Sequence, residues 1–374
     1  MIGRILTTVL ALLWFCVLSN AQVMLTGAGC AVQCSSVASY TGPGDIVSGA
    51  SAWYGLRAYN AAYATGSNNA INIRCGSGAQ SGNTFNITIL TTGALNIAGA
   101  LTDCGAHATC TSGTASGTTA LSLVGCSATP TAGDTFTGTI STGSLVQPVY
   151  AASVGTFTGG AGTVTLNAAQ TVSLSAVTVQ SSMYVTEAYD QTGSGNHATQ
   201  ATTADQPQLF PSCISTLPCM AGTNDSQSLA AAAAVVSAFP FTVSATAIRT
   251  GNFTAYNGII GTNATGLLFS VSPNSVIIYA GATVTATAAD SAWHSVGGVF
   301  PSGGTGTLDV DGTITTGSIG TTAPSGVLAI GKVSGTTLDG YIAEVGTWSS
   351  AVSNTNLGLL CHNQFTYWGT SVSC

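Results

Sequence analysis

Residues 188–200 read AYDQTGSGNHATQ, a polar stretch broken by two glycines. A calcium loop of the EF-hand type starting at Asp190 would need a bidentate glutamate at its last position, where Ala201 stands. A phosphate-binding loop would need a lysine after its glycines, and this stretch has none. The stretch therefore predicts neither metal nor phosphate chemistry, and its flanks decide how it is interpreted.

Three stretches in chain order carry a family resemblance. AYDQTGSGNHATQ resembles the YDQSGNGNH-x-TQ stretch of the catalytic domain of glycoside hydrolase family 54 α-L-arabinofuranosidases, the arabinofuranosidase B type. Residues 42–78, GPGDIVSGASAWYGLRAYNAAYATGSNNAINIRCGSG, resemble that family's opening segment with Arg57 in place, and DCGAHATC (103–110) resembles its small cysteine-closed loop. The C-terminal half resembles laminin-G and concanavalin-like sandwiches in SAWHSVGGVF, TLDVDGT, VLAIGKV and LDGYIAEVGTW. The resemblance implies an all-β, two-sheet jelly roll.

The residue patterns indicate the same class independently. Short β-rich runs such as INIRC, FTVSATAI and YIAEVGTW are separated by Gly, Asn, Asp and Pro, which is typical of a sandwich or jelly roll. Asp311-Gly312 predicts a hairpin turn, because both positions tolerate a positive φ. One short N-terminal helix is predicted in ASAWYGLRAYNAAYA (50–64), where Trp53, Leu56 and Tyr63 recur at helical spacing. Trp293 is interpreted as a core residue, and Glu344 and His294 as structural.

Residues 111–180 differ in composition from the rest. They alternate Gly, Thr, Ser and Val and contain one acidic residue, Asp134, and no basic residue. The segment resembles a small β module of bacterial and phage surface proteins, and in the arabinofuranosidases the cysteine-closed loop leads almost directly to YDQ. We therefore predict a β-sandwich formed by residues 22–110 and 181–374, interrupted by an inserted β module at 111–180. A long hairpin excursion of the sandwich itself is the alternative.

The first twenty-one residues predict a secretory signal peptide, with one basic residue, a short apolar core and small residues before Gln22. The protein is expected to be secreted, with no membrane span. Of its 11 cysteines, all but Cys16 lie after this leader, and an even number in an exported chain favours disulfides. Local spacing favours Cys104–Cys110, Cys213–Cys219 and Cys361–Cys374, allows Cys30–Cys34, and leaves Cys75 and Cys126 unassigned. No cofactor is implied, and a zinc site is not expected, since His107 alone lies near a cysteine pair.

The charge balance restricts the partners. The chain has a net charge of −7, with 5 basic and 12 acidic residues, and loss of the leader removes Arg4 as well. Such a surface does not neutralise a phosphate backbone, which excludes nucleic acid as a partner. Neutral Ser, Thr, Asn and Gln side chains suit contact with a glycan or polysaccharide.

The carboxylates do not reproduce glycosidase chemistry. A retaining glycosidase needs two carboxylates facing each other across the sugar. The family's nucleophile is a glutamate on a middle strand, and the corresponding residues 255–271 contain no carboxylate. Alignment of Ile330-Gly331 and Glu344 places Val333 where the family's acid/base aspartate lies. A shift of several residues would bring Asp339 into that loop instead, whereas no comparable shift supplies the nucleophile.

The remaining candidate residues are few. Asp190, Asp225 and Asp339 are the candidate catalytic carboxylates, and Asn196 and His197 the candidate substrate-binding residues. Each also has a structural interpretation, since Asp and Asn commonly bond the backbone of their own turns.

Three functions are therefore considered. The first is a secreted sandwich that recognises arabinose-containing or other surface glycans without established hydrolysis. The second is an active α-L-arabinofuranosidase with displaced carboxylates, and the third is a surface or virion-type structural or adhesion protein.

Overall fold

The computed structural model describes residues 21–24, 33–36, 40–214, 216–222, 227–250, 257–262, 266–271, 274–289, 291–333, 336–370 and 374. The chain divides into two compact units, Met1–Thr41 and Gly42–Cys374. In the first unit, strands β1 (Ala21–Met24) and β2 (Gln33–Ser36) form an antiparallel hairpin. The predicted leader lies outside the described residues except for Ala21. The Cys30–Cys34 bond that the spacing allows involves Cys30, which also lies outside them.

The second unit is mostly β-structure. Its helices are α1 (Pro43–Ile46), α2 (Ile97–Cys104) and α3 (Asn354–Trp368), with a 3₁₀ turn at Thr203–Asp205. Its strands before the predicted module are β3 (Ala52–Gly55), β4 (Asn69–Cys75) and β5 (Thr84–Thr88). The next four are β6 (Ala106–Val124), β7 (Thr135–Ser144), β8 (Ala151–Thr158) and β9 (Ala161–Gln180). None of the helices in the described part of the chain is long and apolar enough to cross a membrane.

The strands that follow are short and regular. They are β10 (Met183–Ala188), β11 (Ala198–Thr199), β12 (Gln208–Ile214), β13 (Leu217–Gly222), β14 (Leu229–Ala231), β15 (Phe241–Arg249), β16 (Asn257–Thr262), β17 (Gly266–Val271) and β18 (Ser275–Tyr279). The last are β19 (Thr283–Thr287), β20 (His294–Phe300), β21 (Thr305–Val310), β22 (Thr313–Ser318), β23 (Leu328–Ile330), β24 (Lys332–Val333), β25 (Thr336–Thr337) and β26 (Gly340–Trp348).

Eighteen of these strands form one hydrogen-bonded antiparallel sheet that folds over on itself. β15 pairs with β20 along one edge and with β26 along the other, and β26 also pairs with β3 and with β13. β23 pairs with both β14 and β16. A β-sandwich results, as the sequence predicts. We call this part, β3–β5 and β10–β26, the sandwich.

The predicted helix at 50–64 is wrong. Residues 52–55 form β3, which pairs with β26 through Tyr54 opposite Val345, and the short N-terminal helix lies earlier, at α1. Ala52, Trp53, Tyr54 and Leu56 are all fully buried. A segment that is buried on both faces has no exposed face, so its sequence lacks the polar positions that would reveal a helical or a strand periodicity. Apolar residues at helical spacing therefore do not distinguish a helix from a strand here.

The predicted hairpin at Asp311-Gly312 is confirmed. Both residues have positive φ, 51° and 77°, and they join β21 to β22. Asp311 also accepts hydrogen bonds from the backbone N–H of Ser295 at 2.9 Å and contacts His294 Nδ1 at 2.5 Å. His294 is therefore a buried structural residue that holds this turn against β20.

Residues 106–180 form a separate sheet, which we call the module sheet. β9 runs through its centre, β6 pairs along one edge of β9, and β7 and β8 share the other edge. Its fourteen-residue buried cluster lies entirely between Ala108 and Val179. The sheet begins five residues before the predicted boundary, and its two ends pair directly, Ala106 opposite Gln180.

One buried carboxylate fastens the module sheet to the sandwich. Asp134, fully buried, accepts hydrogen bonds from Ser77 Oγ at 2.5 Å and from the Ser182 N–H at 3.2 Å. Within its own loop it accepts from the Thr131 N–H at 2.7 Å and meets His107 Nδ1 at 2.6 Å. Because both parts bond the same side chain, the module sheet has a fixed position on the sandwich.

Four disulfides connect the described cysteines of this unit. The predicted Cys104–Cys110 bond is wrong: α2 brings Cys104 to Cys75 on β4, and Cys110 pairs with Cys126 inside the module sheet. Sequence proximity misleads here because Cys104 ends a helix that packs on the sandwich, whereas Cys110 lies on a strand of the other sheet. Cys213–Cys219 and Cys361–Cys374 form as their spacing predicts.

The C-terminal helix is held by a buried ion pair. Arg57 donates to Glu344 through Nε at 2.5 Å and Nη2 at 2.8 Å, and both side chains are fully buried. The guanidinium lies 4.7 Å from the ring centre of Tyr367 on α3. Burial raises the pKa of Tyr367 to about 12, partly offset by Arg57. Glu344 is therefore a structural residue.

Candidate functional site

A cleft lies between the module sheet and the sandwich. It has a volume of about 450 Å³, within the usual range of small-molecule sites. Its lining residues from the module sheet are Val146, Gln147, Pro148, Tyr150, Asn167 and Ala168, and those from the sandwich are Cys213, Ile248, Thr250, Ser291, Trp293, Asp339 and Tyr341. Two chain segments far apart in sequence thus supply its opposite walls.

The sandwich wall is built by the ends of three adjacent strands. Ile248 on β15 lies opposite Tyr341 on β26, and Ala247 lies opposite His294, so Trp293 falls beside Ile248. Trp293, Ile248 and Tyr341 therefore form a row across the sheet. Side chains two residues apart on a strand share a face, which places Ser291, Thr250 and Asp339 in a second, polar row above the first. A backbone bond from the Thr250 N–H to the Asp339 carbonyl, 3.0 Å, keeps that second row in register.

Within the first row Trp293 presents aromatic surface to the cleft, whereas Tyr341, only 7% exposed, is largely covered. The rings of Trp293 and Tyr341 are nearly parallel, 25° apart, with centres separated by 6.5 Å. Trp293 is half-buried rather than enclosed. Its interpretation as a core residue is therefore wrong: it precedes β20 at the open end of the sheet, where one face meets the cleft.

The module wall is preformed by one asparagine. Asn167 accepts from the Tyr150 N–H at 3.0 Å and donates to the Pro148 carbonyl at 2.9 Å. These bonds fix the segment that carries Gln147 and Tyr150. Phe210, fully buried beneath the cleft, contacts Tyr150 at 5.0 Å and Tyr341 at 5.9 Å between ring centres, and so connects the two walls.

The electrostatics of the cleft come from Asp339. Burial raises the pKa of the Tyr341 hydroxyl, and the nearby Tyr150 and Asp339 raise it further. Tyr341 is therefore neutral at physiological pH and serves as a hydrogen-bonding aromatic rather than as a nucleophile. No other charged side chain lines the cleft among the residues that the structure describes.

The loop 188–200 does not line this cleft. Asp190 Oδ1 accepts from the backbone N–H groups of Trp53 and Thr192, at 3.1 and 3.0 Å, and Oδ2 accepts from that of Asn196 at 3.2 Å. Asn196 donates to the Ser51 carbonyl at 3.1 Å. His197 Nδ1 accepts from the Asp190 N–H at 3.0 Å. Asp190 thus bonds β3 and Asn196 bonds the residue just before it, whereas His197 bonds within its own loop.

The remaining candidates are distributed differently. Asp339 lines the cleft, while Asp225 lies outside the described residues. Val333, at the position aligned with the family's acid/base residue, is a buried apolar side chain on β24. Within the described ranges, no two of the candidate carboxylates share the cleft.

Metal chemistry has no support in the described residues. No group of three or more His, Cys, Asp or Glu side chains among them is placed to hold an ion. The described lining of the cleft consists of rings, amides, hydroxyls, apolar side chains and a single carboxylate.

Comparison with known proteins supports the fold. No family model matches the chain, and no curated protein matches its sequence. Solved structures of GH54 α-L-arabinofuranosidase are similar to it. One soaked with a cyclic sulfate inhibitor has a TM-score of 0.54 and 12% identity over 89% of this chain, and a glutamate-to-glutamine mutant soaked with 4-nitrophenyl α-L-arabinofuranoside has a TM-score of 0.56 and 13% identity over 89%.

A third structure, an arabinofuranosidase complexed with arabinofuranosyl-α-1,2-xylobiose, has a TM-score of 0.51 and 12% identity over 86% of this chain. The chain spans 66%, 66% and 64% of the lengths of these three structures. At such identities the likeness concerns the fold, and at that level it confirms the resemblance carried by the residues.

Proposed function

We propose that this protein binds carbohydrate in the cleft between the module sheet and the sandwich. The observation that carries the proposal is the pair of Trp293 and Tyr341 on one wall of the cleft, with the amides of Gln147 and Asn167 on the opposite wall. A sugar ring has apolar C–H faces and a rim of hydroxyls. Aromatic faces with a few placed polar groups complement both, as is typical of small-ligand sites.

Binding is favoured over hydrolysis because the cleft has one carboxylate. Cleavage with retention needs two carboxylates about 5–5.5 Å apart, and inversion needs two at a longer separation. Asp339 is the sole carboxylate among the described lining residues, and Asp190 and Glu344 are committed to structural bonds. The similarity to arabinofuranosidase structures supports arabinose-containing glycans as the first ligands to test.

We further propose that the protein is secreted. The four disulfides of the described residues suit an oxidising compartment. Thiol counting on protein recovered from the culture medium of an exporting host should find these eight cysteines oxidised. Retention inside the cell with reduced thiols would contradict export.

Calorimetric titration of the purified protein tests the binding proposal. Arabino-oligosaccharides and a wider panel of neutral oligosaccharides serve as ligands, and W293A should weaken binding about tenfold or more, since an aromatic anchor is lost. Y189A is the matched control, because Tyr189 is a partly exposed aromatic outside the cleft whose hydroxyl bonds Asn86 at 2.9 Å. Equal binding by W293A and the wild type, or no binding of any glycan, would refute the proposal. Release of nitrophenol from 4-nitrophenyl α-L-arabinofuranoside at an enzymatic rate would overturn its non-catalytic part.

A further inference from the structure

The charge of the cleft has one sign. Its thirteen described lining residues include Asp339 and no Lys, Arg or His. Asp339 is half-buried and lines the cleft together with Tyr341. The module wall adds no cation, because residues 111–180 contain no basic residue at all.

The nearest cation along the chain does not line the cleft. Arg249 lies between the lining residues Ile248 and Thr250, and strand alternation directs its side chain to the opposite face. There it is buried and lines a separate small cavity together with His294 and Ala288. Among the described lining residues, the charge on the face of the sheet that meets the cleft is therefore that of Asp339, which is negative.

Aromatic faces beside a carboxylate suit a cation. The ring quadrupole of Trp or Tyr attracts an ammonium lying over its face, and a neighbouring carboxylate adds a direct charge pair. We propose that the cleft recognises a glycan bearing a free amino group, with its ammonium held between the Asp339 carboxylate and the face of Trp293, which Tyr341 supports from behind. This inference rests on the proposed carbohydrate-binding function. It adds that the cleft prefers amino sugars to neutral sugars and binds acidic sugars least.

A series of β-1,4-linked tetramers that differ in charge tests the inference. The probes are the tetramers of glucosamine, of glucose and of glucuronate, each titrated calorimetrically at pH 6 and low salt. The glucosamine tetramer should bind about fivefold more tightly than the glucose tetramer, the size expected of a partly exposed charge pair, and the glucuronate tetramer should bind least. The preference should shrink in about 1 M salt, where the screening length falls to about 3 Å.

The variant D339N separates charge from shape. It should abolish the preference for glucosamine, so that the glucosamine and glucose tetramers bind the variant with affinities within about twofold of each other, because the charge is lost while the side-chain volume is kept. D103N, which removes the same charge from a half-buried site on α2 outside the cleft, should keep the wild-type order. Binding of all three tetramers without a charge order, or an order that D339N leaves unchanged, overturns the inference but not carbohydrate binding. Failure of the tetramers and of every neutral glycan in the panel overturns both.

Discussion

Asp134 in the module sheet and Asp309 in the sandwich are both buried carboxylates, but they differ in how fully they are hydrogen-bonded. Asp134 in the module sheet is surrounded by donors from both parts of the protein, at 2.5 to 3.2 Å. Asp309 in the sandwich is 2% exposed, and its Oδ1 has no hydrogen-bond partner among the described residues. A buried charge stabilises a structure only when donors compensate its lost hydration. The contrast predicts that Asp134 holds the two walls of the cleft together, whereas Asp309 costs stability.

The largest effect is expected from excising the module sheet. Ala106 and Gln180 face each other across an antiparallel pair, so replacing residues 107–179 with Asn-Gly should close a tight hairpin. The sandwich should still fold, with its Cys75–Cys104 bond, but all glycan binding should be lost because one wall of the cleft is gone. Circular dichroism and titration of the same sample measure both. A shortened chain that binds as tightly as the full chain would show that the cleft is not the site, and a chain that fails to fold would show that the module sheet is not a separate insertion.

A smaller effect is expected from D134A. Removal of the carboxylate leaves the buried Ser77 hydroxyl without its acceptor, and the buried Ser182 N–H keeps only its 3.2 Å bond to Ser77 Oγ. The N–H of Thr131, an exposed residue, loses its acceptor as well. The free energy of unfolding should fall by about 3 kcal/mol, and glycan affinity should fall with it as the walls lose their fixed spacing. Urea unfolding measures the first quantity. T131V, which removes only the side-chain hydroxyl and leaves the backbone donor in place, is the control and should lose far less; equal losses would remove the special role of Asp134.

The smallest effect is expected from D309N, which at neutral pH should raise the free energy of unfolding rather than lower it. Burial raises the pKa of Asp309 to about 6, with a further contribution from Asp311, against a lowering by the Gly312 N–H. The folded state therefore holds the proton of Asp309 more tightly than the unfolded chain does. The contribution of Asp309 to the free energy of unfolding is greatest below about pH 4 and is lost as the pH rises through about 6. The loss amounts to at most about 3 kcal/mol. Urea unfolding should find D309N more stable than the wild type at pH 7 and equal to it at pH 4; a D309N that is less stable at pH 7 would break the contrast with Asp134.

Much of the sandwich could be predicted from the sequence because turns carry their own chemistry. Asp311-Gly312 marks a hairpin through its backbone conformation alone, and β20 and β26 fall within the predicted runs. The stretch 188–200 indicates the fold because Asp190 must bond the backbone of β3 for the loop to form. The helix predicted at Trp53 failed because full burial removes the polar positions that define a period.

The cleft could not be predicted in the same way. Trp293, Ile248 and Tyr341 become neighbours only through the order of β20, β15 and β26, and the opposite wall comes from a separate sheet. Asp339 was selected among the carboxylates, but its aromatic neighbours were not. Cys104 shows the same limit: its partner is set by the packing of α2, and the nearest cysteine in sequence lies on another sheet.

The paired ends of the module sheet have an evolutionary consequence. Since the chain leaves the sandwich at Ala106 and returns at Gln180 on the neighbouring strand, a different module can replace this one through two adjacent junctions without re-routing the host chain. Such an exchange would keep the Trp293 and Tyr341 wall constant and renew the wall opposite.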